Sequence, residues 1–254
     1  SSACLAALPC LRVSGIAIMI TDPAPTLSVV VPLLNEAENV APLQAEIDSA
    51  LADLDFELIF VDDGSTDHTV ANIERNDRVR VIEQKANHGQ SVAIYSGLIA
   101  ARAPIIAMLD GDLQNNPADI PRLLATMERG VDLVCGYRVR RKDTISKRIQ
   151  SQIANRIRRL FTRDGVRDTG CSLKVMRSEC RDALVLFNGM HRFIPALIRG
   201  AGYTVSEMPV DHRARGHGVS HYGFGNRAWR GLIDLFGVCW LLSRRHGLGN
   251  RMQG

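Results

Sequence analysis

No stretch of this 254-residue chain approaches the roughly 20 consecutive apolar residues that a membrane-spanning helix needs. The longest run, LIDLFGVCWLL at 232–242, has eleven residues and carries Asp234, which fits a core or an interfacial helix. No GxxxxGKS or GxxxxGKT loop is present and no GxGxxG follows a strand pattern, which excludes a P-loop NTPase and a standard dinucleotide binder. The six cysteines (Cys4, Cys10, Cys135, Cys171, Cys180, Cys239) form no CxxC pair and no ladder spacing; they read as reduced thiols in a cytosolic setting. Internal repeats, low-complexity blocks and composition breaks are also missing. The length and the 46% hydrophobic content then fit one large α/β domain or two small ones, and one domain with a C-terminal extension is expected. The first twenty residues lack the basic start and long apolar core of a secretory signal. Met19 is expected to be the natural start, preceded by an upstream extension.

Acids are almost missing from residues 138–163, which hold Asp143 alone against ten Lys or Arg. Such a block points to a phosphate-rich partner, namely a phosphorylated substrate, an anionic membrane face or a nucleic acid, or else to a solvated helix face. Over 144–162, Ile145, Ile149, Ile153, Ile157 and Leu160 recur at spacings of four and three, one apolar stripe of a helix set among basic residues. That helix either docks on the body or lies at a membrane surface.

Short apolar runs rich in β-branched residues alternate with helical patterns. Strands are expected at 27–32, 57–62, 79–83 and 104–110, with helices over 37–53, from Thr66, and over 91–103. Further strands are expected at 131–138, 172–177 and 203–210, with an amphipathic helix from Gly223 to Ser243. This alternation means a mostly parallel sheet covered on both faces. Ligands of such sheets bind at the carboxyl ends of the strands. Here the first, second and fourth strands end in PLLNE, DDGSTD and DGDLQ.

Asp110 and Asp112, with only Gly111 between them and Gln114 two residues on, suit a hard divalent cation. Mg²⁺ or Mn²⁺ takes oxygen ligands and shares them with substrate phosphates. Asp112 and Gln114 are candidate direct ligands, with Asp110 direct or one shell out; Gly111 lets a ligand approach the backbone. The alternative is a plain turn, with Asp112 in an Asx-turn and Pro117 starting a helix. In VDDGSTD, the calcium-loop template fails at His68, where glycine is required, and a strand precedes it. A carboxylate there fits hydrogen bonds from a nucleobase or ribose. His212, His217 and His221 have no cysteine nearby and are not read as a zinc trio. His191 and Arg192 open the apolar run FIPALI and are expected at a helix start on the acceptor side.

VVVPLLNEAENV, VDDGSTD, MLDGDLQNNP, GYR and HRARGHGVSHYG together resemble the family 2 glycosyltransferases, most of all the polyprenyl-phosphate sugar synthases such as dolichol-phosphate mannose synthase. The match runs in order over residues 27–243. It implies an α/β GT-A nucleotide-diphospho-sugar transferase fold, a Rossmann-like, mostly parallel sheet flanked by helices, with C-terminal amphipathic helices. It implies nucleotide contacts at Pro32, Leu34, Glu36, Val61 and Asp63, and a metal–diphosphate site at Asp110, Gly111, Asp112 and Gln114. Arg215 is implied as the clamp on the donor diphosphate. Arg138, Lys147 and Ser151 are implied at the acceptor phosphate. Three positions depart from the family pattern: Leu34 replaces a common aromatic, Ser220-His221 replaces Ser-Lys, and Asn115 and Asn116 replace acidic and proline residues.

The expected organisation is a disordered extension over 1–26, a catalytic domain over 27–222, and an amphipathic helix and tail over 223–254. The expected reaction is metal-dependent and inverting: a hexose, mannose before glucose, moves from GDP-mannose or UDP-glucose to a dolichyl or undecaprenyl phosphate. A phosphate monoester has a second pKa of about 6, so this acceptor needs cations to position it more than a base to deprotonate it. Asp112, Arg138 and Asp168 are the catalytic candidates, Asp168 as orienter of the acceptor or its cations. The enzyme is expected at the cytoplasmic membrane face as a peripheral protein bound to anionic lipid, without nucleic acid, as a homodimer or with a membrane partner. Two rivals stand beside this reading: a family 2 enzyme acting on a sugar hydroxyl, and a non-catalytic module that binds anionic membranes. A phosphorylation receiver domain, raised by Asp62 and Asp63, fails on length and on the second acidic cluster.

Overall fold

The computed structural model of the chain describes residues 12–13, 16–17, 24–139, 161–162, 165–213 and 225–244. Two short strands, β1 (Arg12–Val13) and β2 (Ile16–Ala17), pair with each other. The body is a seven-stranded sheet of β3 (Leu27–Leu33), β4 (Phe56–Asp62), β5 (Val79–Glu83), β6 (Ile105–Met108), β7 (Leu133–Arg138), β8 (Lys174–Arg177) and β9 (Val205–Val210). Its spatial order is β5-β4-β3-β6-β8-β7-β9. All neighbours are parallel except β8, which runs antiparallel to both β6 and β7.

Among the described residues, five helices cover the faces: α1 (Val40–Ala50), α2 (Gln90–Ala100), α3 (Ile120–Met127), α4 (Ile194–Gly200) and α5 (Gly225–Arg244). Successive strand residues point to opposite faces, so each central strand feeds two cores at once. Val29 and Val31 pack with Leu43 and Ile47 of α1 and Leu123 of α3. Val30, Ile59 and Val61 pack with Ala93 and Leu98 of α2, Leu197 of α4, and Leu235 and Val238 of α5. This double burial is why LSVVVPL and FELIFVD are mostly apolar, with no solvent-facing polar side. Gly97 brings α2 against the sheet: a Cβ there would stand 2.3 Å from a Val30 methyl.

A polar cluster sits inside this packing. Glu57 on β4 is 1% exposed and accepts from Ser28 Oγ, the Arg102 amide and Nε, and Arg80 Nη1 at 2.7–3.1 Å. Burial pushes its carboxyl up, but the hydrogen bonds from Ser28, Arg102 and Arg80 outweigh it and hold the pKa below the ordinary glutamate value. The stabilisation is therefore complete above the ordinary glutamate pKa and is lost as pH falls through the depressed folded one. Glu57→Gln is expected to cost about 1–3 kcal/mol near neutrality. Urea unfolding should show the gap to the unmodified protein narrowing below the ordinary glutamate pKa; a gap independent of pH would refute the charge-based account.

The sheet follows the expected strand pattern, with two differences among the helices. No helix starts at Thr66; the segment makes only a single 3₁₀ turn, Val70–Asn72. Its polar groups bond outward instead: the Thr66 amide donates to Asn35 Oδ1, and Thr69 Oγ1 accepts from the Glu36 amide. The helix α3 follows Pro117, with Asn116 Oδ1 accepting from the Ala118 amide at its approach. The basic helix expected over 144–162 lies outside the described residues except for Phe161 and Thr162, which are helical.

Candidate active site

The carboxyl ends of β4, β3 and β6 lie side by side, with Leu33 opposite Asp62 and Val30 opposite Met108 in the ladders. The three acid-bearing segments therefore share one edge, as parallel α/β topology demands. The loops after β3 and β4 are tied to each other. Asn35 adopts φ +54°, a left-handed conformation that asparagine tolerates better than most residues. Its amide donates to Ser65 Oγ at 2.9 Å, and the Ala37 amide donates to Asp67 Oδ2 at 3.3 Å. Burial pushes Asp67 up, but hydrogen bonds from Thr69 and Ala37 hold its pKa below the usual aspartate range.

The two acids of VDDGSTD have different roles. Asp63 is buried, and its carboxylate accepts from the His88 and Gly89 amides at 2.8 and 2.9 Å, fixing the loop before α2. Gly64, at φ +77°, lets that loop close: a Cβ would meet the Ala86 and Asn87 backbone at 2.8 Å. Asp62 accepts from the Ser65 amide through Oδ2, while Oδ1 is buried without a hydrogen-bond partner. The unspent oxygen thus belongs to Asp62, beside the expected Asp63. Val61 is 0% exposed and packed in the core, so only its backbone faces the edge. Pro32, Leu34 and Glu36 are half-buried at the end of β3.

Gly111 also packs closely within the protein. A Cβ there would stand 2.5 Å from Leu33 Cδ2, so glycine is needed for close packing on β3. Asp112 does form the Asx-turn, with Oδ1 accepting from the Gln114 amide at 3.2 Å. Leu113 holds φ +59°, an uncommon conformation for leucine that stores strain within the acidic turn. Gln114 pairs with the segment after β9: its carbonyl accepts from the Arg213 amide, and its Nε2 donates to the Arg213 carbonyl. That donation leaves Oε1 as the oxygen open to a cation. Arg213 is held by Glu46 of α1 at 2.7 and 2.8 Å. Arg215, Lys147 and Ser151, like His217 and His221, lie outside the described residues.

Asp110 is half-buried and accepts from Gln90 Nε2 at 2.7 Å. Burial pushes its carboxyl above the ordinary aspartate value, and the Asp112 charge pushes it further; Ser172, Lys174 and Gln90 oppose this. The two carboxylates therefore repel each other, as DGD implies, and a cation shared between them would relieve the repulsion. Among the described residues no group of three or more His, Cys, Asp or Glu is placed to hold a metal by itself. Two carboxylates and an amide oxygen still fit Mg²⁺ or Mn²⁺, which complete their shell with substrate phosphate oxygens and water.

Asp110 also forms one wall of a cavity of about 340 Å³, whose other walls include the 168–172 loop, Lys174, His191 and Arg192. Ser91 Oγ accepts from the Gly189 amide and lies 2.8 Å from His191 Nδ1. His191 and Arg192 end a 3₁₀ turn just before α4, which is the helix start expected for them. Behind the 168–170 loop, Arg138 makes a two-pronged bond to Asp168: Nε to Oδ2 at 2.7 Å and Nη2 to Oδ1 at 2.9 Å. Their side chains are 13% and 10% exposed. Asp168 therefore holds the Arg138 guanidinium in place. Lys174, Gln90, Ser91 and Ser172 escaped the sequence reading. The one signal for Lys174 was a cation inside the apolar strand SLKVMR.

These features agree with what the chain is similar to. The profile of "Glycosyl transferase family 2" matches residues 28–182. The chain is 40% identical over 227 residues to the dodecaprenyl-phosphate galacturonate synthase of Rhizobium johnstonii, covering 85% of this chain and 67% of that protein. It is 34% identical over 210 residues to the undecaprenyl-phosphate 4-deoxy-4-formamido-L-arabinose transferase of Klebsiella pneumoniae, covering 80% and 64%. The chain thus spans about two thirds of the length of these relatives. Among solved structures, glucosyl-3-phosphoglycerate synthase of Mycobacterium tuberculosis with Mn²⁺, UDP and phosphoglyceric acid superposes with a TM-score of 0.67 at 22% identity, over 85% of this chain and 78% of that one. The same enzyme with Mg²⁺ and UDP gives 0.61 at 21% identity, over 84% and 80%. The family match, the relatives and the shared sheet lead to one conclusion: the chain belongs to glycosyl transferase family 2 and is a glycosyltransferase of GT-A fold, akin to the polyprenyl-phosphate sugar transferases.

Proposed function

We propose that this chain transfers a sugar from a nucleoside diphosphate to a polyprenyl phosphate in one inverting displacement. The observation that carries this reading is the acidic edge at Asp110 and Asp112 next to a cavity backed by the fixed cation Arg138. An acceptor phosphate oxygen attacks the anomeric carbon, the bond from that carbon to the diphosphate oxygen breaks, and the nucleoside diphosphate leaves with the electron pair. The acceptor is already an anion, so no general base is required. Arg138, Lys147 and Ser151 hold the acceptor phosphate, and Asp168 keeps the Arg138 guanidinium in one orientation. Asp110, Asp112 and Gln114 would hold Mg²⁺ or Mn²⁺, which supplies positive charge to the leaving diphosphate, with Arg215 as helper. Asp62 and Asp63, with the ends of β3 and β4, form the nucleoside side of the site.

For the sugar we favour a hexuronic acid over the mannose expected from the motifs, because the 40% identical relative is named as a galacturonate synthase. We place the catalytic unit at 27–222 and the amphipathic segment at 223–254, lying on the cytoplasmic membrane surface. Among the described residues no helix is long and apolar enough to cross a membrane. Ile233, Phe236 and Trp240 of α5 are 54–64% exposed at helical spacing, and Phe236 meets Phe161 edge-on at 6.1 Å. Such a stripe suits the interface between headgroups and acyl chains.

The test is transfer from UDP-galacturonate, GDP-mannose and UDP-glucose to undecaprenyl phosphate, with Mg²⁺ or Mn²⁺ and with EDTA. Metal-dependent glycolipid from UDP-galacturonate is expected. Donor turnover without lipid product would replace this reading with transfer to a sugar hydroxyl. No turnover alongside salt-sensitive vesicle binding would leave a non-catalytic membrane module.

A further inference from the structure

Lys174 is 3% exposed, on a strand paired to Met108 on one side and Cys135 on the other. Its backbone is thus fixed in the middle of the sheet. Its Nζ makes one hydrogen bond, to the Cys171 carbonyl, and no carboxylate lies within ion-pair distance among the described residues. An ammonium group has three N–H donors, so two are left without a partner among the described residues. Burying an unpaired ammonium costs several kcal/mol, so a sheet does not keep one there for packing alone.

The same side chain lines the cavity beside Asp110. Its size falls within the range of small-ligand sites. Arg192 and His191 form another part of its wall, and the first turn of α2, the positive end of that helix, opens on it through Gln90. The acids on its wall are Asp110 and Asp168, and Asp168 is already bonded to Arg138.

We infer that this cavity is an oxyanion subsite in which Lys174 donates to the charged oxygens of a substrate. This deepens the transfer reading and rests on it for the identity of the substrate. Two sources supply such an oxyanion: the phosphate of the lipid acceptor and the carboxylate of an acidic donor sugar. The subsite is a binding device, so its loss appears in KM and in donor selectivity before it appears in kcat.

The experiment uses the full chain with Lys174→Met and Lys174→Arg. Two matched probe pairs, geranyl phosphate against geraniol and UDP-galacturonate against UDP-galactose, are titrated by calorimetry. KM for undecaprenyl phosphate and the UDP-galacturonate to UDP-galactose selectivity are measured alongside. A tenfold or greater rise in KM for the lipid phosphate in Lys174→Met, partly recovered in Lys174→Arg, assigns the subsite to the acceptor. A tenfold or greater fall in donor selectivity assigns it to the sugar carboxylate. If both quantities stay constant while kcat or melting temperature falls, Lys174 is a structural strut and the inference is wrong. Should Lys174→Met not fold, the unmodified protein still decides: equal affinity within both probe pairs overturns the subsite. If no glycolipid forms but a charged probe binds better than its neutral partner, and Lys174→Arg weakens that preference, the subsite stands and the transfer reading falls.

Discussion

Asp112→Asn is expected to lower kcat for sugar transfer by about 10³-fold, the scale on which removing a preorganised charge contact acts. The substitution keeps the local geometry, because an asparagine Oδ1 still accepts from the Gln114 amide. It also removes the like charge that pushes Asp110 up, so the melting temperature is not expected to fall. Loss of transfer with an undiminished melting temperature separates a role in the reaction from one in the fold. Extra Mn²⁺ should restore little, since one of two carboxylates is gone. Transfer by the variant within tenfold of the unmodified enzyme, or transfer untouched by EDTA, would remove the metal assignment.

The second large effect is expected at Asp168. Asp168→Asn leaves the Arg138 guanidinium in a poorly hydrated site, 13% exposed, without its charged two-pronged partner. Removing one member of a buried pair costs about 3–5 kcal/mol, much of it for the charge left behind. For a domain of this size that corresponds to roughly 6–20 °C in melting temperature. The same change frees the guanidinium to rotate, so KM for the polyprenyl phosphate should rise more than KM for the donor. The double variant Arg138→Leu with Asp168→Leu removes both charges, so it should recover much of the stability but none of the transfer. Recovery of transfer in the double variant would show that the pair is only structural.

Both predictions draw on residues already conspicuous in the chain. Strand positions were legible because each central strand is buried on both faces, which forces a continuous apolar run whatever its neighbours are. The acidic strand ends were legible because parallel topology gathers them on one edge. The helix expected from Thr66 was not readable, because the competition is tertiary: Asn35 and Glu36, about thirty residues away, take the bonds that the segment would otherwise form. The packing need for Gly111 was not readable for the same reason, since Leu33 of a neighbouring strand occupies the space.

The sequence by itself determined the order of elements, the two-sided sheet and the acidic edge, because local hydrophobic periodicity and turn chemistry carry that information within a few residues. Only the tertiary structure decided which polar groups meet. Ser91 reaches His191 across 100 positions, Asp63 fixes the His88–Gly89 loop, and β8 enters antiparallel and sets Lys174 beside Asp110. The physical reason is that the charge and hydrogen-bond state of a buried group depends on its spatial neighbours and on desolvation, and neither is encoded in the spacing along the chain.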